Sequence, residues 1–118
     1  MAKTVEMYQT ESGEVPFKSW MKSLTDDDTR KRLYKRINKL RTGLLGDWKS
    51  AGSGVTELRE DFGPGFRIYC GQIGQSFVIL LCGGDKGTQS SDIKRASEYL
   101  EDYKRRTRKT NKPDKKKG

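Results

Sequence analysis

Two arginines, a lysine and a tyrosine stand where strand alternation can gather them. In the run Glu57-Leu58-Arg59, Leu58 points to one side and Glu57 and Arg59 to the other. In Arg67-Ile68-Tyr69-Cys70, Ile68 and Cys70 share one side, and Arg67 and Tyr69 take the opposite one. If helices cover the Leu58/Ile68 side, Arg59, Arg67 and Tyr69 share the remaining face. Lys86 leaves the end of the next apolar run and reaches the same surface. Fixed guanidinium groups hold phosphate oxygens in bidentate fashion and stabilise the extra charge of a pentacovalent transition state. An RNA strand brings its own nucleophile, the 2′-hydroxyl, so the protein need only orient the strand and move protons. The plainer reading pairs these arginines with Glu57, Glu60 or Asp61.

Composition narrows the chemistry further. The chain of 118 residues contains no histidine, which removes histidine-activated nucleophiles and histidine metal sites. Catalysis is left to Arg, Lys, Tyr, Asp, Glu or Cys. Cys70 and Cys82 lie in separate apolar runs without further ligands, so no metal and no cofactor are expected. They read as buried, reduced thiols. No apolar run approaches the roughly 18 residues of a membrane span, and Met-Ala-Lys-Thr-Val-Glu-Met lacks a secretory apolar stretch. A cytoplasmic location and no membrane partner follow as expectations. The net charge of +9 is concentrated at the end, where residues 104–118 hold nine basic groups and one acid. This predicts a domain over 1–103 and a basic, disordered tail over 104–118 that solubilises the chain or binds polyanions.

The elements that must position these residues follow from periodicity. Val5-Glu6-Met7-Tyr8 alternates as a first strand. Pro16 suits a first helical position, and Phe17, Trp20, Met21 and Leu24 form one apolar face. Thr25 before Asp26, Asp27 and Asp28 marks the next helix start. Leu33, Ile37 and Leu40 form its stripe, and Gly43 its C-terminal glycine, with Leu44 folding back onto the last turn. Gly46 to Gly54 reads as loop. Three strands follow, over Val55–Glu60, Phe66–Cys70 and Ser76–Cys82, joined by short turns into an antiparallel meander. Phe77 to Leu81 is apolar on both faces, as in a central strand. Gly83 to Gly87 breaks the sheet, and Thr88 can cap a last helix carrying Ile93, Ala96 and Leu100. The fold class is α+β, in the order β-α-α-β-β-β-α.

The second helix carries Arg30, Lys31, Arg32, Lys35, Arg36, Lys39 and Arg41 around its stripe. A solvated face accounts for most of them. A phosphate-facing surface accounts for the crowding, since like charges on one helix repel unless something offsets them.

The ordered motifs Glu57-Leu58-Arg59, Gly65-Phe66-Arg67-Ile68-Tyr69 and Leu80-Leu81-Cys82-Gly83-Gly84-Asp85-Lys86, with Gln89, Asp92-Ile93, Ala96, Tyr99 and Tyr103, carry a family likeness. Over most of residues 4–103 the chain resembles the RelE/ParE toxin superfamily, in its HigB-like "addiction module killer protein" branch. The resemblance implies a small α+β domain with two N-terminal helices on one face of an antiparallel sheet and a closing C-terminal helix. It also implies the toxin of a type II toxin–antitoxin system: a ribosome-dependent, metal-independent endoribonuclease that cuts messenger RNA and inhibits translation. Arg67 falls on the family's arginine in its glycine-aromatic-arginine strand, Lys86 on the basic residue after the last strand, and Arg59 on a recurrent basic position one strand earlier. Val55 and Glu57 stand where RelE itself carries a lysine pair, and Asp92 falls near its later tyrosine.

The expected catalytic set is therefore Arg67, Lys86, Arg59 and Tyr69, with Tyr69, Asp85, Glu57 and Tyr103 as alternatives for the proton acceptor. The expected RNA-binding set is Arg32, Lys35, Arg36, Lys39, Arg105 and Arg106. Expected partners are messenger RNA, ribosomal RNA and a small helix-turn-helix antitoxin. Two other roles compete: a ParE-like inhibitor of DNA gyrase without nuclease chemistry, and an inactive relative that binds its antitoxin.

Overall fold

The computed structural model describes residues 2–117, with side-chain surroundings for residues 2–108. Strand β1 (Thr4–Met7) leads into helices α1 (Pro16–Ser23) and α2 (Asp27–Arg41). Strands β2 (Trp48–Gly52), β3 (Val55–Glu60), β4 (Phe66–Ile73) and β5 (Phe77–Asp85) follow. A 3₁₀ turn over Lys86–Thr88 then leads into helix α3 (Gln89–Lys117). The class is α+β: one five-stranded sheet in the order β1-β5-β4-β3-β2, with three helices. Of the tail expected to be disordered over 104–118, residues 104–108 continue α3, and the side chains from 109 onward lie outside the described residues.

Three expectations change. Residues 48–52 form a strand rather than a loop, because Gly52, Ser53 and Gly54 all take positive φ and fold β2 back onto β3 in a tight hairpin. The sheet is mixed rather than antiparallel, since β1 pairs with β5 in parallel, from Thr4 with Phe77 to Met7 with Leu80. The sheet also does not break at Gly83, as β5 runs on through Gly83, Gly84 and Asp85. Those glycines are there for clearance. A Cβ on Gly83 would overlap the Trp20 ring, and one on Gly84 the Asp92 carboxylate.

The helix ends follow their local chemistry. Pro16 opens α1, as its missing N–H and fixed φ allow. The N-cap of α2 is Asp26 rather than Thr25, its carboxylate accepting from the Thr29 amide at 3.1 Å. At the other end Gly43 takes φ +98°, the Leu44 amide bonds the Lys39 carbonyl, and the Gly43 amide bonds Leu40. That is a Schellman termination. The Leu44 side chain nevertheless points to solvent, and Leu45 packs on the core in its place.

Two cores sandwich the sheet. On one face Phe17, Met21, Leu33, Ile37 and Leu40 of α1 and α2 pack on Leu58, Ile68, Cys70, Val78 and Leu80. On the other, Ala96 and Leu100 of α3 pack on Val55, Tyr69, Ile79, Leu81 and Cys82. A bulge sets this division. Tyr69 pairs with Cys82 and Cys70 with Leu80, so Leu81 has no opposite residue, and both Leu81 and Cys82 join the α3 core. Beyond the bulge, Gly84 lies on the α3 face beside Arg67. Among the described residues, no helix is long and apolar enough to cross a membrane.

Candidate nucleic-acid interface

Arg59 and Arg67 are register partners across β3 and β4, and Glu57 and Tyr69 form the next pair on the same face. Strand parity thus places all four side chains on the α3 side of the sheet, as the alternation predicts. The Nε of Arg67 lies 3.5 Å from the Glu57 carboxylate, and its Nη1 donates to the Phe66 carbonyl at 3.0 Å. Glu57 is 0% exposed and Arg67 5%, so this ion pair is taken out of water almost completely. Gln89, the first residue of α3, donates its Nε2 to both Glu57 oxygens at 3.0 Å. Nη2 of Arg67 donates to nothing among the described residues.

Gly65 brings Lys86 into the group. Its φ of +83° turns the chain into β4, and both the Lys86 side chain and Arg67 Nη1 come within 3.6 Å of where a Cβ would stand. The Lys86 amide donates to the Gly65 carbonyl at 2.9 Å, which ties the end of β5 to the start of β4. Lys86 itself is exposed. Asp85 caps the 3₁₀ turn by accepting from the Gly87 amide at 2.8 Å. Arg59 is about one-third exposed and lies 3.6 Å from Asp47. Arg59 and Arg67 are thus paired in register and Arg67 meets Lys86 over Gly65, with Lys86 exposed, Arg59 partly exposed and Arg67 buried.

Tyr69 does not reach that surface. Its ring is fully covered by the α3 core, and its hydroxyl has no hydrogen-bond partner among the described residues. Burial, reinforced by the nearby Glu57 charge, raises its pKa well above the ordinary phenol value. A phenol in this state exchanges protons poorly, so the role in catalysis expected for Tyr69 is corrected to a place in the core.

The basic residues of α2 separate into two kinds. Arg36 is buried, and its guanidinium bonds the carbonyls of Arg59 (2.8 Å), Leu45 and Asp47 (both 2.7 Å), as well as the Glu60 carboxylate. It clamps the loop between α2 and β2, and its expected RNA contact is corrected accordingly. Lys35 and Lys39 are exposed beside it, around a depression of about 270 Å³ that also takes in Arg32 and Glu60. Arg32 stacks on Phe62, 3.7 Å from the ring centroid. Near the end of the described side chains, Arg105 pairs with Asp102 at 2.9 Å. Arg106 pairs with the same carboxylate and donates to the Gln9 carbonyl at 2.6 Å. Arg105 stays mostly exposed, whereas Arg106 helps tie α3 to the end of β1.

Two contributors escape the sequence reading. Lys49 is exposed on β2 and is the register partner of Glu57, so it extends the cationic face by one strand. Reading 46–54 as loop hides it, although Trp48-Lys49-Ser50-Ala51 before Gly-Ser-Gly carries a hairpin signal. Gln89 enters the sequence reading only through the family likeness, and nothing in its spacing announces a carboxylate partner on β3.

No family model matches the chain. An uncharacterized protein of Haemophilus influenzae is 45% identical to it over 80 residues, which span 68% of this chain and 81% of that relative.

Proposed function

We propose that this chain, which belongs to the same family as the uncharacterized Haemophilus influenzae protein, is the toxin of a type II toxin–antitoxin pair that cuts messenger RNA on the ribosome. The observation that carries the reading is the grouping of Arg59, Arg67 and Lys86 on one rim of the sheet. The likeness to the RelE/ParE superfamily, HigB-like branch, supports it. So does the succession of a leading strand, two helices on one sheet face and a closing helix on the other.

In this reading Arg59 and Arg67 hold the scissile phosphate of a cytoplasmic message. The 2′-oxygen attacks the adjacent phosphorus, the bond from phosphorus to the 5′-oxygen breaks, and a 2′,3′-cyclic phosphate and a 5′-hydroxyl result. Asp85, partly exposed beside Lys86, accepts the 2′-proton, since Glu57 is sealed by Arg67 and Gln89. Lys86 offsets the charge on the departing 5′-oxygen and protonates it. Arg32, Lys35, Lys39, Lys49 and Arg105 rest on ribosomal RNA, and a small helix-turn-helix antitoxin covers the cationic rim between rounds of activity.

A second reading draws on the burial of Tyr69 and the near-complete cover over Arg67. These favour a ParE-like inhibitor of DNA gyrase, or an inactive antitoxin-binding relative, in which the rim serves only as a protein contact. Inducing the chain in cells and mapping messenger RNA ends separates the readings. Codon-phased cuts that fade in an Arg67→Lys variant support the nuclease, whereas intact messages with DNA-damage signalling support the gyrase inhibitor.

A further inference from the structure

A guanidinium offers a phosphate its full strength only when its plane is fixed, and two buried groups flank that of Arg67, one by ion pairing and one by a hydrogen bond. Glu57 stands against its Nε edge at 3.5 Å, and the Phe66 carbonyl takes Nη1 at 3.0 Å. Nε is buried and makes no hydrogen bond beyond this ion pair, and Nη2 donates to nothing among the described residues. Glu57 is itself held, because both of its oxygens accept from Gln89 Nε2 at 3.0 Å. A buried carboxylate with fewer partners than lone pairs would strand charge in the core. The Gln89 amide answers that need from the start of α3, so the docking of α3 and the aim of Arg67 are one arrangement.

We infer that Glu57 and Gln89 are positioning residues, which hold Arg67 by its Nε edge so that Nη2 is the donor presented to a phosphate oxygen. The inference rests on reading Arg67 as a phosphate ligand. Neither residue touches the substrate; each acts through Arg67. Misplacing a reacting or stabilising group by about an ångström can slow a reaction about a hundredfold. Losing one link of this chain therefore slows cleavage while ribosome binding, which depends on the outer lysines and arginines, stays as it was.

The test uses single-turnover cleavage on ribosomes programmed with a defined message, with thermal melts to verify folding. Gln89→Leu keeps the size of the side chain and loses the amide, and is expected to slow cleavage about tenfold or more. Arg67→Lys keeps a charge beside Glu57 but has no Nε to be held, so adding Gln89→Leu to it should cost nothing further. Wild-type cleavage by Gln89→Leu, or the same cost in the Arg67→Lys background as alone, overturns the inference. Wild-type cleavage by Arg67→Lys instead removes the phosphate-ligand reading beneath it. Should the native protein cut no message, the Arg67 Nε–H resonance in ¹⁵N spectra of the full chain still decides. A sharp, slowly exchanging signal lost in Gln89→Leu supports the positioning role, and an unchanged signal sinks it.

Discussion

Arg59 and Arg67 face each other across β3 and β4, and each is drawn toward its own carboxylate, Asp47 at 3.6 Å and Glu57 at 3.5 Å. Like charges on directly opposed strand positions are unfavourable. The two acids relieve that repulsion and leave the pair on one side of the sheet. The partners differ in kind: Asp47 is half-exposed, whereas Glu57 has no contact with water.

That difference makes Arg67→Ala a poor test of catalysis. Reading the sequence alone, one expects the variant to keep its fold. With Glu57 left charged and buried, removing Arg67 instead destabilises the protein by about 3–5 kcal/mol. Adding Glu57→Gln should recover much of that loss. Urea melts of the single and double variants check this, and equal stability of the two would refute it.

Arg36 and its neighbours Lys35 and Lys39 should behave oppositely. Arg36→Met leaves the partly buried Leu45 carbonyl without its donor and the Glu60 carboxylate without its cation, at about 1–3 kcal/mol for each group so left, whereas the Asp47 carbonyl keeps the Arg59 amide. Lys35→Ala and Lys39→Ala should stay within about 0.5 kcal/mol of the native stability. Each should instead reduce the salt dependence of ribosome binding by about one phosphate contact. A melting series and binding at several salt concentrations measure both halves.

Gly84→Ala forces a methyl group into the Asp92 carboxylate, which also accepts from Thr88 and pairs with Arg95 at 3.3 Å. The expected cost is about 1–3 kcal/mol, as for overpacked cores. Hydrogen exchange should speed up first in the opening turns of α3. Native protection there would contradict the prediction.

Alkaline pH should weaken the fold. Burial pushes the thiols of Cys70 and Cys82 up from 9.0 to about 12. Burial, followed by the hydrogen bond to Asp102, pushes Tyr8 from 10.0 to about 12. In each case the unfolded chain loses its proton first. The associated stability is whole below pH 9 and falls progressively as pH approaches about 12. Cys82→Ala should flatten that fall, as urea midpoints between pH 8 and pH 11 (about the accessible range) can record. An unchanged slope would reject this origin.

Strand parity was enough to place Arg59 and Arg67 together, because Leu58 and Ile68 leave little choice about which side is covered. Helix stripes likewise placed α1 and α2. Arg36 was harder, since a run of basic residues reads as a wet surface. Its position three residues after Leu33 and four before Leu40 puts it near the apolar stripe, and that spacing was the available clue. The bulge at Leu81 left no trace in composition, and with it went the assignment of Cys82 and Gly84 to the α3 side. For Tyr69 alternation gives the face, but on that face the ring has no exposure. Alternation tells which side a residue takes, whereas the cover on that side comes from a helix some thirty residues later.

The parallel pairing of β1 with β5 has a consequence for synthesis. Thr4 meets Phe77, and the Tyr8 hydroxyl reaches Asp102 at 2.6 Å across 94 positions of chain. The N-terminal strand thus waits unpaired while its neighbour is still being translated, and closing so long a loop is slow. A growing polypeptide therefore cannot close its sheet until β5 has emerged, nor seat Tyr8 against α3 until Asp102 has followed.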